Sequence, residues 1–533
     1  MDYDWLIIGS GFGGSVAALR LSEKGYTVAV IEAGRRFEDK DFAKSSWQLN
    51  RYLWAPLLGA RGIMRFTPFK DVFVVSGAGV GGGSIVYANT LYRARKEFFQ
   101  NPQWSELADW EQELEQSYAI AERMLGVNTV PFESPGDKLL QDYATSIGTE
   151  DTFCRTPVAV FFGEPGKEVA DPFFDGEGPA RTGCIRCGAC MIGCRVGAKN
   201  TLLKNYLWFA EKHGAEVLPS RKVVDIRPLG AGDGRDGYEI QTQTPGVFPG
   251  RKKTLRAQGV IISAGALGTN YLLANCKHGG SLPNISDKLG RLVRTNSESI
   301  LGVTLPDDSL KLWQSVAISS SIHVDADTHI EVVTYGEKGD LLSLLVTLLT
   351  GDGTRWTRVF SLLRNAARHP IQFLETLWPF GWSRKSIILL VMQSLDNAIT
   401  FRAKKRWFAK GVRLSTEQDA ARPNPTYIDA GNKAAAWIAE HTGGIAQSSV
   451  LEAVANIPTT AHILGGAAIA SDAEHGVVDS EQRVFSYHKL LICDGSVMPA
   501  NPGVNPSLTI TAMTERAMSR IPAKNAASVA TRS

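Results

Sequence analysis

The run Trp5-Leu6-Ile7-Ile8-Gly9-Ser10-Gly11-Phe12-Gly13-Gly14 constrains this chain more than any other stretch. Four apolar residues make a short strand. Glycines 9, 11 and 14 then stand at the first, third and sixth places of a turn into a helix, with Phe12 and Gly13 completing it. Gly9 permits the tight turn, Gly11 lets a pyrophosphate lie against the backbone, and Gly14 lets the helix, expected over 15–24, pack on the sheet. The helix N-terminus offers oriented N–H groups to phosphates. A second strand over 27–31 ends at Glu32, placed to accept hydrogen bonds from ribose hydroxyls and to repel a 2′-phosphate. Strand, glycines, helix, strand and acid in that order predict a dinucleotide-binding α/β unit.

A second glycine-rich run, Gly77-Ala78-Gly79-Val80-Gly81-Gly82-Gly83-Ser84, leads into apolar, strand-like residues ending near Asn89. An NAD site has no use for it, whereas bare backbone can lie against a flat ring or its pyrophosphate, so FAD is the expected dinucleotide. With 533 residues, 44% of them hydrophobic and 21% charged, the chain is long enough for two domains. Its formal charge of +3, spread over 57 basic and 54 acidic residues, gives no concentrated field, so nucleic acid is not an expected partner. The N-terminal residues have no basic, apolar and small-residue leader pattern, and no long unbroken apolar stretch follows. A cytoplasmic location, with membrane association at most peripheral, is expected.

Two further blocks follow the same chemistry: Val260 to Thr269 with Ser263-Ala264-Gly265, and Cys493-Asp494-Gly495-Ser496 with Gly503-Val504-Asn505-Pro506. Together the four blocks resemble the glucose-methanol-choline (GMC) oxidoreductases, and within them the bacterial cholesterol oxidases. The resemblance implies an α/β chain, α+β overall: a Rossmann-like FAD-binding domain with an inserted substrate domain of antiparallel sheet plus helices. On that pattern the FAD domain takes 1–95, 184–300 and 456–522, with a lid segment over 96–183. The substrate domain takes 301–455, including an apolar insert over 340–392, and 523–533 is a disordered tail of small polar residues. The resemblance also implies FAD contacts from Gly79, Gly83, Ser84 and Asn89, from Val223 and Val224 at the adenine, and from Ala264, Gly265, Asp494, Gly495, Asn505 and Pro506.

Oxidising an alcohol through a flavin requires a base for the hydroxyl proton and groups that orient the oxygen. His462, before Leu464-Gly465-Gly466, and Asn505 match the family's catalytic pair, and Glu331 in Thr328-His329-Ile330-Glu331 resembles the cholesterol oxidase carboxylate that faces substrate. Either Glu331 or His462 can take the proton. Alternation along that strand also allows Glu331 a solvated face, and places His323 and His329 on one side. The implied reaction is oxidation of a secondary hydroxyl of a steroid-like, bulky alicyclic alcohol to the ketone. A flavin-dependent ketone or alkene reductase, or a non-catalytic electron-transfer flavoprotein, are the alternatives.

Cys184, Cys187, Cys190 and Cys194 have the spacing of bacterial ferredoxin ligands, although Arg195 stands where ferredoxins usually carry proline. An iron–sulfur cluster is expected, with zinc or free or paired thiols as alternatives. A cluster would send electrons to a protein or quinone acceptor; without one, dioxygen becomes the oxidant. In 340–392, aromatic and leucine residues alternate with arginines, a composition that suits a membrane interface, a lid over a sterol-sized pocket, or a helical core element.

Overall fold

A computed structural model describes residues 1–247, 250, 252–405 and 411–525. Of the tail expected over 523–533, residues from 526 onward lie outside the described residues, as do Trp407 and Phe408. At the near end of the tail Lys524 is held by Asp4, Nζ to Oδ2 2.7 Å.

Strand Tyr3–Ile8 pairs in parallel with Val28–Ile31 on one side and with the long strand Lys253–Ile262 on the other. Glu216–Leu218 extends the sheet beyond Val28–Ile31. The long strand has two neighbours on one edge. Its first half pairs antiparallel with Tyr238–Gln243, which pairs in turn with Lys222–Pro228; its last three residues pair in parallel with Leu490–Ile492. The central strands are buried on both faces, and helix Phe12–Glu23 packs on one of them. Helix Ser507–Ser519 and helix Phe12–Glu23 pack against each other.

The first helix begins at Phe12, three residues before the sequence reading placed it. Gly13 and Gly14 lie inside its first turn because the chain passes too close to other backbone for a side chain. A Cβ on Gly13 would sit 1.8 Å from the Cys493 carbonyl oxygen, and one on Gly14 2.0 Å from that of Gly9. The second glycine run also differs from expectation. Strand Phe73–Gly77 ends there and Gly82–Ile85 forms a 3-10 turn, so the apolar residues after it do not continue as strand.

The other large sheet is wholly antiparallel and has seven strands, in the order Val346–Leu348, Ile445–Ser449, Ser299–Thr304, Ser386–Gln393, Thr328–Val333, Ile318–His323 and Cys154–Arg155. A smaller sheet carries Leu464–Gly465 at one edge, paired with Val293–Arg294. The fold is therefore the mixed α/β arrangement expected, a parallel Rossmann-like sheet beside an antiparallel one.

Gly14→Ala is expected to destabilise the fold by about 3 kcal/mol or more, since backbone must move to admit the methyl group. Gly11→Ala should be nearly neutral for folding, because a Cβ there meets no protein atom within 4 Å. Thermal unfolding of the two variants checks the contrast, and equal midpoints would contradict it.

Candidate active site

A cavity of about 720 Å³ opens at the carboxyl ends of the parallel strands and runs to the face of the antiparallel sheet. Of the sequence-nominated residues, Gly9, Gly11, Phe12, Gly13, Glu32, Gly83, Val223, Ala264, Gly265, His462, Asp494, Gly495, Asn505 and Pro506 line it. Gly14, Gly79, Ser84, Asn89, Val224 and Glu331 do not.

Each of these six has a local reason. Gly14 is closed off by the Gly9 carbonyl. Ser10 Oγ lies 3.5 Å from the Gly79 carbonyl oxygen, which ties the two glycine runs together. Ser84 Oγ accepts from the Leu202 N–H at 3.0 Å, and donates to Gly81, so it holds the turn. A bulge between Val223 and Asp225 leaves Val223 at the wall and turns Val224 away. Asn89 is buried in a left-handed conformation, and neither side-chain atom has a partner. Glu331 stands behind Asn505, whose Nδ2 donates to its Oε2 at 3.3 Å.

The strand-end half of the cavity suits a dinucleotide. Glu32 accepts from Ser10 and Gly34 at its rim. Arg65, Arg221, Lys222 and Arg413 also line the cavity, and among the described residues none of them makes an ion pair. Burial and then the charge of Arg65 hold the Lys222 ammonium below its ordinary value. Cations gathered without a carboxylate partner fit an anionic ligand such as a pyrophosphate. The sequence reading missed all four, since each is an ordinary basic residue in its local context.

Asp494 organises the floor. Its carboxylate accepts from Thr269 Oγ1 at 2.5 Å, from the Gly265 N–H at 3.0 Å and from both donors of Ser496. It thereby joins the C-terminal strand to the start of helix Gly265–Gly279.

His462 lies between the short strands Thr459–Thr460 and Leu464–Gly465, with its backbone N–H on Thr460 Oγ1 at 2.9 Å. Its Nδ1 hydrogen-bonds the carboxylate of Glu298, which also accepts from the Ala461 N–H at 2.6 Å. A carboxylate only accepts, so Nδ1 carries the proton and Nε2 is the nitrogen left free for the cavity. Glu298 is 2% exposed and is the functional residue that sequence reasoning missed. It lies in the polar run Thr295-Asn296-Ser297-Glu298-Ser299, whose burial at every position is visible only in the structure.

Asn296 and Ser297 both adopt left-handed backbone, with φ of 58° and 48°. Asn296 reaches into the loop before Asn505: its Nδ2 donates to the Val504 carbonyl at 3.0 Å, and its Oδ1 accepts from the Gly503 N–H at 2.9 Å. One turn thus positions Glu298 behind His462 and holds the segment that carries Asn505.

Glu331 is fully buried, and burial pushes its carboxyl up to about 8, with the nearby Glu298 adding to the rise and Asn505 opposing it. Glu331 Oε1 and Asn505 Oδ1 are both unpartnered. The solvated-strand alternative for Glu331 is therefore wrong: the opposing strands on both sides of Thr328–Val333 are paired and covered. His329, its neighbour on the same face, is fully buried and stacks on His323 with ring centroids 4.5 Å apart. Neither histidine lines the cavity. Ile300, Ile318, Val333, Ile388 and Leu390, from four strands of the antiparallel sheet, form its apolar wall.

The four clustered cysteines line a separate small hollow of about 20 Å³. Among the described residues no three Cys, His, Asp or Glu side chains are placed to hold one metal ion, so the structure shows neither a zinc nor an iron–sulfur site here. All four thiols are free. Burial, and then Cys190, push the Cys184 thiol up to about 12; burial and Cys187 push Cys190 up to about 11. Met191 of the same loop lines the large cavity.

Family models described as GMC oxidoreductase match residues 180–289 and 398–514, and one described as an NAD(P)-binding Rossmann-like domain matches 7–37. A cholesterol oxidase of Acinetobacter baumannii is 47% identical over 531 residues, covering 98% of this chain and 95% of the relative. One from Mycobacterium tuberculosis is 48% identical over 542 residues, covering 98% and 92%. Among solved structures, a pyridoxine 4-oxidase from Mesorbium loti shares the fold, with a TM-score of 0.63 at 15% identity over 97% of this chain and 98% of that one. With near-half identity along almost its whole length to such relatives, the chain belongs to the GMC oxidoreductase family, FAD-dependent enzymes that act on CH–OH groups.

Proposed function

We propose that this protein oxidises the secondary hydroxyl of a sterol-like alcohol to the ketone. The carrying observation is a free imidazole Nε2, backed by the buried Glu298, in a cavity walled by apolar residues of the antiparallel sheet. The cholesterol oxidases at 47% and 48% identity support the same substrate class. The glycine turn around Gly11, the rim carboxylate of Glu32, the cations Arg65 and Lys222, and Asp494 and Pro506 would hold FAD. When bound, FAD supplies an electron-poor ring that accepts hydride.

His462 takes the hydroxyl proton at Nε2, and Glu298 stabilises the resulting imidazolium through Nδ1. Asn505 orients the alcohol oxygen. Glu331 acts through Asn505 as a positioning residue, because the amide stands between its carboxylate and the cavity. The apolar wall excludes water and seats the fused rings.

His462→Gln should cut kcat by about 10²–10⁴ with flavin content unchanged, the range expected for loss of a general base. Glu298→Gln should cost part of that. Ionisation of Glu331 near pH 8 strengthens the hydrogen bond it accepts from Asn505 and so fixes the amide that orients the alcohol, so kcat/KM should rise with pH through about 8. In Glu331→Gln that step should vanish while turnover largely remains. Loss of all turnover in this variant, with His462→Gln still active, would transfer the base to Glu331.

For the cysteine loop we propose an iron–sulfur cluster and a protein or quinone acceptor. Three features support it. All four cysteines line one hollow. N–H groups of Arg186 and Ala189 are turned onto Cys184 and Cys187. Lys199, 2% exposed, donates to the carbonyls of Ile85, Tyr87 and Cys190, lies over the Tyr87 ring and makes no ion pair among the described residues, so a net-negative cluster would complement its charge. Anaerobically purified protein should contain iron and acid-labile sulfide that Cys187→Ala loses. Four titratable thiols without iron would remove this reading and leave dioxygen as the oxidant.

A further inference from the structure

Helix Arg355–Arg368 is inside out. A helix on a globular surface normally buries its apolar stripe and exposes its charges. Here Trp356, Phe360 and Leu363, at i, i+4 and i+7, are 75%, 69% and 64% exposed, whereas the one buried residue is Arg358. Arg358 donates through Nη1 to the Thr426 carbonyl at 2.7 Å and to Asn456 Oδ1 at 2.9 Å. Two further bonds hold the helix in this orientation, from Ser361 Oγ to the Thr350 carbonyl and from Asn365 Nδ2 to the Leu349 carbonyl, each 2.9 Å.

The next helix, Pro370–Leu377, repeats the pattern. Ile371 and Leu374, with Trp378 just beyond it, fall at i, i+3 and i+7 and are 73%, 64% and 66% exposed. Residues 355–378 contain four arginines and one glutamate. Arg355, Arg364 and Arg368 are exposed, and among the described residues they make no ion pair.

This surface continues to the cavity. Phe380 stacks on Trp47 with centroids 5.8 Å apart, and Trp47 belongs to a segment whose Leu57 and Leu58 are exposed and whose Trp54 lines the cavity. Trp382 stacks on Tyr335, which also lines it.

We infer that the paired helices dock on an anionic lipid bilayer, laying their aromatic face into the headgroup boundary with the arginines on lipid phosphates. No described helix is long and apolar enough to cross a membrane, so the contact is peripheral. Charge decides against a second copy of the chain as the occupant: a two-fold interface would set arginines against arginines with one glutamate per copy to offset them. An anionic surface complements both the charge and the apolar area. The inference deepens the sterol reading by naming where an apolar alcohol is met, but it is tested without any sterol.

The test is cosedimentation of the full-length holoenzyme with sterol-free vesicles of phosphatidylcholine alone and of phosphatidylcholine with phosphatidylglycerol. Binding should be strong only to the mixed vesicles, should weaken as salt rises, and should move tryptophan emission to the blue. The variant W356S/F360S/I371S/W378S, all exposed positions, should bind roughly ten-fold less or worse. Its flavin content and thermal midpoint should stay unchanged. Wild-type protein that ignores both vesicles, or that forms a concentration-dependent dimer abolished by the same variant, overturns the inference. Turnover of detergent-solubilised sterol by such a protein would leave the proposed reaction standing, whereas vesicle binding without any sterol turnover would sink the reaction alone.

Discussion

Close approach of backbone to backbone at the carboxyl ends of the parallel strands is the constraint from which the site follows. The first helix can sit over Tyr3–Ile8 only because Gly13 and Gly14 present no side chain to Cys493 and Gly9. The second glycine run reaches the same point: a Cβ on Gly82 would lie 2.5 Å from the Gly11 Cα. Segments near residues 10, 80, 264 and 494 thereby meet around one cavity. Ser10 and Asp494 fasten them with side-chain hydrogen bonds to backbone and hydroxyl groups. The ligand-binding crevice lies outside the strand ends, where open α/β sheets place it.

The electrostatics divide the cavity into two ends of opposite kind. At the glycine turns, Arg65, Arg221, Lys222 and Arg413 gather cationic charge without carboxylate partners. At the antiparallel sheet, Glu298 and Glu331 are carboxylates inside protein, and each is managed differently. Glu298 gains two hydrogen bonds, from His462 and Ala461, and so has donors for its charge. Glu331 has one, from Asn505, plus a second carboxylate nearby, and its carboxyl is raised. Environment, more than residue type, separates the roles of the two acids.

The parallel half was legible because its signals are local: glycine spacing, apolar runs and the acid at Glu32 follow one another within thirty-two residues. The first helix was read one turn late because glycine was taken to precede a helix, whereas close packing places Gly13 and Gly14 inside it. Glu298 was not legible, since its partner His462 lies 164 residues away and its neighbours are common small polar residues. Arg65 and Lys222 were invisible for the same reason. In Glu331 the sequence showed a candidate carboxylate on an alternating strand. Only tertiary pairing, with strands on both sides and Asn505 in front, decides that it is buried and set back from the cavity. The insert's composition was equally ambiguous until Arg358 was seen to face inward.

Burial of Glu331 ties the antiparallel sheet to the chemistry. Desolvation is the largest cause of its raised carboxyl, and the strands paired on both sides of Thr328–Val333 supply that burial. The same sheet gives the cavity its apolar wall of Ile300, Ile318, Val333, Ile388 and Leu390, so a fused-ring alcohol would gain contacts there that a small polar alcohol would not. The seven-stranded sheet therefore does more than bind: it also holds a neutral carboxyl against Asn505, the amide at the cavity edge.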